Sequence, residues 1–207
     1  MRGRWGDRRE QALLQTARLR LRPAGPGDLR ALHALWTSAP VRRYLLDGTV
    51  VSRRWSLAML AASDDGFAHR GAGMWVVERR AAPGVVGFCA LRPEPPCPDI
   101  ALMYGMAPGL WRRGLTFEAA TAVLRYGFEE LGLPRIAGGV DAVNSASVRL
   151  LEKLGMSFVE AGEGAFGELR WYQLTAPAFR RRHAHGRRSA GSRSRACHSP
   201  AGRRRAW

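Results

Sequence analysis

Apolar positions along the chain switch between two periods, and each switch marks a new element. "RLRLRP", Arg18 to Pro23, alternates polar and apolar residues as a half-buried strand does. "GPGDLRALHALW" then opens a helix with Asp28 near its start, and "SRRWSLAMLAAS", Ser52 to Ser63, reads as a second helix. "GMWVVERR" and "GVVGFCALRP" predict two strands joined through a Pro-Gly turn. "DIALMYGMAP", Asp99 to Pro108, predicts a further strand.

After Gly114 the period lengthens. Ala120, Val123, Leu124, Gly127, Phe128 and Leu131 recur at helical spacing, and Gly132 and Pro134 stop the run. Its first turn is expected at Thr116 to Ala119. "RIAGGVD", Arg135 to Asp141, is a strand, "NSASVRLLEKLG" a helix and "SFVEAGEGAFGELRWYQL" a closing hairpin. The order β-α-α-β-β-β-α-β-α-β-β predicts one α/β domain on a mixed sheet at 16–179. It leaves an N-terminal extension at 1–15 and a tail at 180–207. No internal repeat is visible.

Charge changes this picture only at the end of the chain. The net charge is +16, yet Lys153 is the single lysine, a bias that GC-rich coding produces whatever the function. Ten arginines and no acid lie between Arg180 and Trp207. That tail has almost no aliphatic residues and is expected to be disordered. A phosphate-binding arm for nucleic acid is its functional reading, a solvated composition-driven tail its plain one.

No run of apolar residues is long enough to span a membrane, and the N-terminus lacks the apolar core of a secretory signal. Cytoplasm is the expected compartment. Cys89, Cys97 and Cys197 have neither even number nor C-x-x-C spacing, so no disulfide framework and no metal are expected.

The stretch "GLWRRGLTFEAA" sets two arginines and a glycine against a helix start. The first N–H groups of a helix have no internal partner, and the macrodipole puts about half a positive charge there. Gly114 lets a ligand approach the backbone, and Arg112 and Arg113 add charge at the rim. The combination makes an anion seat for a pyrophosphate, or else a plain helix entry with solvated arginines. It is neither a Walker A loop nor a Rossmann fingerprint. Asn144 sits at the next strand-to-helix junction, where Asn is a favoured cap, with Ser147 one turn on.

The segments "TARLRLRPAGPGDL", "YGMAPGLWRRGLTFEAA" and "VDAVNSASVRLLEKLGM", in this order and spacing, resemble the GCN5-related N-acetyltransferases. The likeness is to the Rim-type branch of ribosomal-protein acetyltransferases and spans Thr16 to Phe179. It implies the GNAT fold, a mixed and mostly antiparallel sheet with splayed central strands flanked by helices. It also implies acetyl-coenzyme A as co-substrate. The family's Arg/Gln-x-x-Gly-x-Gly/Ala loop falls on Trp111, Arg112, Arg113, Gly114, Leu115 and Thr116. There Thr116 replaces the small last residue and is a candidate helix cap. Pantetheine would lie in the splay as a pseudo-strand against the backbone of Tyr104, Gly105 and Met106, with Asn144 reaching it. Ser147 would serve the departing thiolate, a role weighed against that of a first-turn structural serine. Tyr104 and Trp111 are also readable as core aromatics, and His33 (on a helix face) and His69 (in a loop) as packing or surface residues.

Two departures stand out. The carboxylate the branch places three residues before the tyrosine is Ala101 here, and Asp99, on the same sheet face, is the nearest replacement. The late-helix tyrosine acid of many relatives is Leu151. An α-amine, with a pKa of about 7.7–8.0, is about one-tenth neutral near pH 7, whereas a lysine, at about 10.4, is neutral less than once in a thousand. A site without its carboxylate therefore suits an α-amine or another low-pKa amine. The expected activity is direct acetyl transfer to a protein N-terminus or a small amine, with a homodimer left open. The alternatives are a weakly catalytic coenzyme A-binding homologue and a nucleic-acid-associated protein acting through its tail.

Overall fold

The computed structural model describes residues 11–94 and 97–188. Eight strands form one sheet in the order β1-β2-β3-β4-β5-β6-β8-β7. They are β1 (Leu14–Gln15), β2 (Leu19–Pro23), β3 (Met74–Arg79), β4 (Ala82–Glu94), β5 (Cys97–Met106), β6 (Arg135–Asp141), β7 (Ser157–Gly164) and β8 (Gly167–Thr175). The helices are α1 (Leu29–Thr37), α2 (Ala39–Arg42), α3 (Arg53–Arg70), α4 (Leu115–Glu129), α5 (Ser145–Leu154) and α6 (Ala176–Arg188). Every neighbouring pair of strands is antiparallel except β5 and β6, which α4 connects as a crossover.

Local pattern explains most of these elements. In β2, Leu19 and Leu21 are fully buried while Arg18 and Arg20 face outward, as alternation requires. On one face of the sheet Leu19, Leu21, Trp75, Val77 and Leu91 pack under α4, α5 and α6. On the other, Met74, Val76, Phe88 and Ala90 pack against Leu32 and Trp36 of α1 and Leu60 of α3.

Four features differ from the sequence reading. The sheet takes in Leu14 and Gln15, and the Trp75 indole donates to the Ala12 carbonyl at 2.6 Å, so the domain begins before Thr16. The hairpin turns at Arg80–Ala81, while Pro83 and Gly84 form a bulge inside β4 between the pairs Glu78↔Val85 and Arg79↔Ala82. Helix α3 runs on past Ser63 to Arg70, which puts His69 in a helix rather than a loop. Gly66 lies within it, and a Cβ there would meet the Ala72 carbonyl at 2.4 Å, so the position requires glycine. This glycine serves the returning chain.

Finally, Phe179 lies within α6. Phe179 packs on Phe128 at 4.8 Å, His183 stacks on Phe179 at 4.1 Å, and Arg182 donates to the Lys153 carbonyl at 2.7 Å. The first residues assigned to the tail are therefore helical and docked. Residues 189–207, with most of the arginine-rich segment, lie outside the described residues.

Candidate active site

The parallel pairing of β5 with β6 is a single register contact, Ala101↔Ala137, after which the two strands part. On its other side β5 stays paired with β4 as far as Gly87↔Met106. The Ala107 N–H donates to the Val86 carbonyl at 2.8 Å. Alternation along an antiparallel ladder then turns Gly105 toward β4, and Tyr104 and Met106 toward the gap. The Met106 carbonyl accepts the Trp111 indole N–H at 2.7 Å, which fixes the start of the following turn. The gap thus offers main-chain groups of Tyr104 and Met106 along one wall.

That turn leads into α4. Gly114 is the N-cap residue, left-handed at φ 72, and no side chain caps the helix. Thr116, anticipated as a candidate cap, occupies the second helical position instead. The first N–H groups of α4 are therefore open to a ligand. Leu115 is buried and anchors the turn, while Trp111, Arg112 and Arg113 are exposed. Arg112 is left-handed at φ 59, a conformation that a side chain beyond glycine adopts only at a cost.

Behind the turn, Glu118 acts as a clamp. Its carboxylate accepts the Thr16 hydroxyl at 2.5 Å, the Arg18 N–H at 2.9 Å and the Arg18 guanidinium at 2.6 Å. Arg18 also donates to the Arg113 carbonyl at 2.9 Å, tying the turn to β2. Burial pushes the Glu118 carboxyl up, but the bonds from Thr16 and Arg18 outweigh it and hold it below the usual range. A depressed carboxylate contributes stability above its unfolded pKa and loses it as pH falls through the folded value. Glu118→Gln should lower the melting temperature at pH 7, by the equivalent of about 1–2 kcal/mol. The difference from wild type should shrink in melts run toward pH 3, about where carboxylates protonate.

Across the gap, the Asn144 side-chain carbonyl accepts the Ser147 N–H at 3.2 Å and caps α5, as its place in the sequence predicts. That commits the amide oxygen and leaves the NH2 group to donate. Ser147 sits in the first turn, where the helix end is positive. The Tyr104 hydroxyl reaches Ser147. Burial raises the phenol well above its ordinary pKa, against the opposing hydrogen bond from Ser147, so it stays neutral. The pairing is invisible in the sequence, because its partners lie 43 residues apart on a strand and a helix. Cys89, opposite Tyr104 in the ladder, is fully buried, and burial pushes its thiol up to about 12.

The structure does not bring Asp99 to this group. Its carboxylate pairs with Arg135 at 2.7 Å and accepts from Gln173 at 3.3 Å, at the end where β5 and β6 converge. Five residues of strand, about 16 Å, separate it from Tyr104. Asp99 is thus held in a structural ion pair. His33 bonds Ser56 at 2.9 Å, also away from the gap. A different carboxylate lies at the open end. Asp141, the last residue of β6, faces Asp47 from the loop after α2 and accepts the Phe166 N–H. Among the described residues no group of three potential metal ligands occurs, and no helix is long and apolar enough to cross a membrane.

The model of the acetyltransferase (GNAT) domain matches residues 18–157. A Bacillus subtilis protein named as the uncharacterized N-acetyltransferase YoaA is 33% identical over 146 residues, covering 69% of this chain and 81% of its own. Among solved structures, RimL, a ribosomal alpha-N-protein acetyltransferase in complex with coenzyme A, superposes with a TM-score of 0.68 at 16% identity, covering 80% of this chain and 98% of its own. Spermidine N-acetyltransferase from Vibrio cholerae, in complex with coenzyme A and spermine, gives a TM-score of 0.67 at 19% identity, covering 79% and 99%. The eight-stranded splayed sheet is the GNAT fold, and with the family match it makes the chain an acyltransferase belonging to the GNAT family of acetyltransferases.

Proposed function

We propose that the chain transfers acetyl from acetyl-coenzyme A directly to a primary amine, on either a small molecule or a protein N-terminus. The observation that carries this is the continuity of the β5–β6 gap with the uncapped start of α4. The residues present fit the coenzyme. A Cβ placed on Gly114 would meet only the Arg18 guanidinium at 3.6 Å, so the space in front of this N–H cluster is open. Arg112, Arg113 and the first N–H groups from Gly114 through Leu115 and Thr116 would hold the pyrophosphate. Tyr104 and Met106 would form the wall for pantetheine, with Gly105 between them committed to β4, and the Asn144 amide would donate to it. Trp111 keeps the turn in place through the Met106 carbonyl.

When bound, acetyl-coenzyme A supplies an activated acetyl thioester. Ser147 would then turn its hydroxyl proton to the leaving sulfur, with the neutral Tyr104 hydroxyl beside it. Helix α5 adds its positive end, which favours negative charge developing there.

Arg112 carries a cost that fits a binding role. Arg112→Gly should relieve about 1 kcal/mol of backbone strain, taking about 1–3 kcal/mol for a non-glycine left-handed residue less the entropy of the added glycine. The variant should melt higher yet bind acetyl-coenzyme A more weakly, read by thermal melts and calorimetry on the same preparation.

The Asn144–Ser147 spacing supports a place in the Rim-type branch. A coenzyme A-binding chain without turnover is the second reading, favoured by Ala101 where the branch has a carboxylate. Calorimetric titration with acetyl-coenzyme A, followed by thiol release against a panel of peptides and small amines, decides between them. Amine-dependent thiol release is the expected result. Binding without release on any amine would establish the second reading.

A further inference from the structure

The two faces of the sheet divide the chemistry at the gap. Tyr104 and Met106 turn their side chains to the face covered by α4 and α5. Ala101, Met103 and Gly105 turn to the other face, where a Cβ on Gly105 would meet Phe88 at 2.5 Å. In β6, Ile136 and Val140 pack on the α4–α5 side, so Ala137, Gly139 and Asp141 belong to the face of Ala101. Extending the register from Ala101↔Ala137 sets Asp141 level with Gly105 across the gap.

Asp141 is held there from several sides. The Phe166 N–H in the β7–β8 turn donates to it, and a Cβ on Gly164 would meet its Oδ1 at 3.1 Å. Asp47 faces it from a left-handed run, Leu46 at φ 54, Asp47 at φ 54 and Gly48 at φ 71. Arg42 donates to the Gly48 carbonyl at 2.7 Å, the Tyr44 ring meets Phe166 edge-on at 6.0 Å, and the Arg43 guanidinium lies 5.2 Å from the Tyr44 ring centre. From β8 the register partner is Leu169, which is neutral, with Trp171 beside Gly139. Burial first, and then the Asp47 charge, push Asp141 above the usual carboxylate range against the hydrogen bonds it accepts. No cation is among the groups that act on it.

We propose that Asp141, set against Asp47, is the base that takes the proton from the incoming ammonium, supplying from β6 the carboxylate absent at Ala101. The inference rests on the acetyl-transfer reading. The ammonium gives one proton to the Asp141 carboxylate and keeps its electron pair. The nitrogen then forms a bond to the thioester carbon, and the carbon–sulfur bond breaks with its pair going to sulfur. The thiolate takes its proton from the Ser147 and Tyr104 side of the sheet. The second amine proton leaves to solvent, Ser147 regains from solvent the proton it gave, Asp141 releases the one it took, and the products are an amide and a thiol. Base and acid thus act from opposite faces. The acceptor class widens accordingly: an ordinary protonated amine, attracted by the Asp47 and Asp141 charges, qualifies alongside α-amines.

The test uses the full chain, wild type, Asp141→Asn and Asp47→Asn, with a spermidine-like polyamine and an N-terminal peptide as acceptors. Acetyl-coenzyme A affinity of Asp141→Asn should stay within about twofold, while kcat/KM for the amine falls by about 10²–10⁴. Its pH profile should lose the limb set by the base. In Asp47→Asn that limb should remain and move to lower pH, because a like charge has been removed. An independent readout is stability. A carboxyl with a raised folded pKa costs nothing below its unfolded value, and the cost grows as pH rises to the folded value. Asp141→Asn should therefore melt higher than wild type at pH 7, with the gain vanishing at acid pH. An unchanged rate and pH profile in Asp141→Asn would overturn the base assignment alone. So would loss of acetyl-coenzyme A affinity in that variant. A wild-type chain that binds acetyl-coenzyme A but acetylates neither amine would remove the transfer reading, and this assignment with it.

Discussion

Gly114→Val should weaken acetyl-coenzyme A binding by about a hundredfold or more while leaving the protein folded. Within the protein, a Cβ at this position meets nothing closer than the Arg18 guanidinium at 3.6 Å, so no steric clash threatens the fold. The remaining cost is that of a β-branched residue at φ 72, about 1–3 kcal/mol. A domain of ordinary stability, about 5–15 kcal/mol, survives that. Toward the ligand the same side chain projects over the open N–H groups of α4. Losing two hydrogen bonds to a charged phosphate, at about 1.5–3 kcal/mol each, exceeds the 2.8 kcal/mol or so that a hundredfold represents. Calorimetry and a thermal melt on the variant check both halves. Retained affinity in a folded Gly114→Val protein would place the coenzyme elsewhere.

Ser147→Ala should slow turnover by roughly tenfold to a thousandfold with little change in acetyl-coenzyme A affinity. A hydrogen bond formed mainly in the transition state appears in kcat rather than in ground-state binding. General-acid contributions are about 10²–10⁴, and water replaces part of the loss. Asn144→Ala should behave oppositely. It removes the α5 cap and the proposed pantetheine contact, so binding should weaken and the protein lose about 1 kcal/mol of stability. Tyr104→Phe should reproduce a fraction of the Ser147→Ala loss, since the ring stays and only the hydroxyl behind Ser147 is gone. Full turnover in Ser147→Ala on a verified acceptor would leave the serine as a first-turn residue and put the proton donor elsewhere.

What the sequence revealed was what short-range physics decides. The alternation of β2, the Asn144 cap and the positive-end turn at Gly114 each depend on residues within one or two turns of each other, so pattern sufficed. The length of α3 escapes the pattern because the reason for Gly66 within it is tertiary. This glycine accommodates the Ala72 carbonyl, a contact unseen along the chain, in the stretch of helix beyond Ser63 that the pattern does not reach. The Pro83-Gly84 pair misled in a related way, since a bulge and a turn use the same residue types and only strand register tells them apart. The carboxylates were the hardest. Asp99 and Asp141 both lie on the right face by alternation. What separates them is the ion pair to Arg135 at one end of β5 and the meeting with Asp47 at the open end of β6. Such choices are made by elements far apart in sequence.

The buried thiol of Cys89 has a redox consequence. On the proposed function, each turnover would free a coenzyme thiol beside β5, where an exchangeable cysteine would be captured as a mixed disulfide whenever an oxidant is present. Exchange requires the thiolate. With its pKa near 12, Cys89 is ionised in roughly one molecule in 10⁵ at pH 7, and the sheet closes off any approach. The chain therefore keeps a sulfur directly opposite Tyr104 without making it a partner for its own product, and oxidised coenzyme A should leave this residue unmodified in the folded protein.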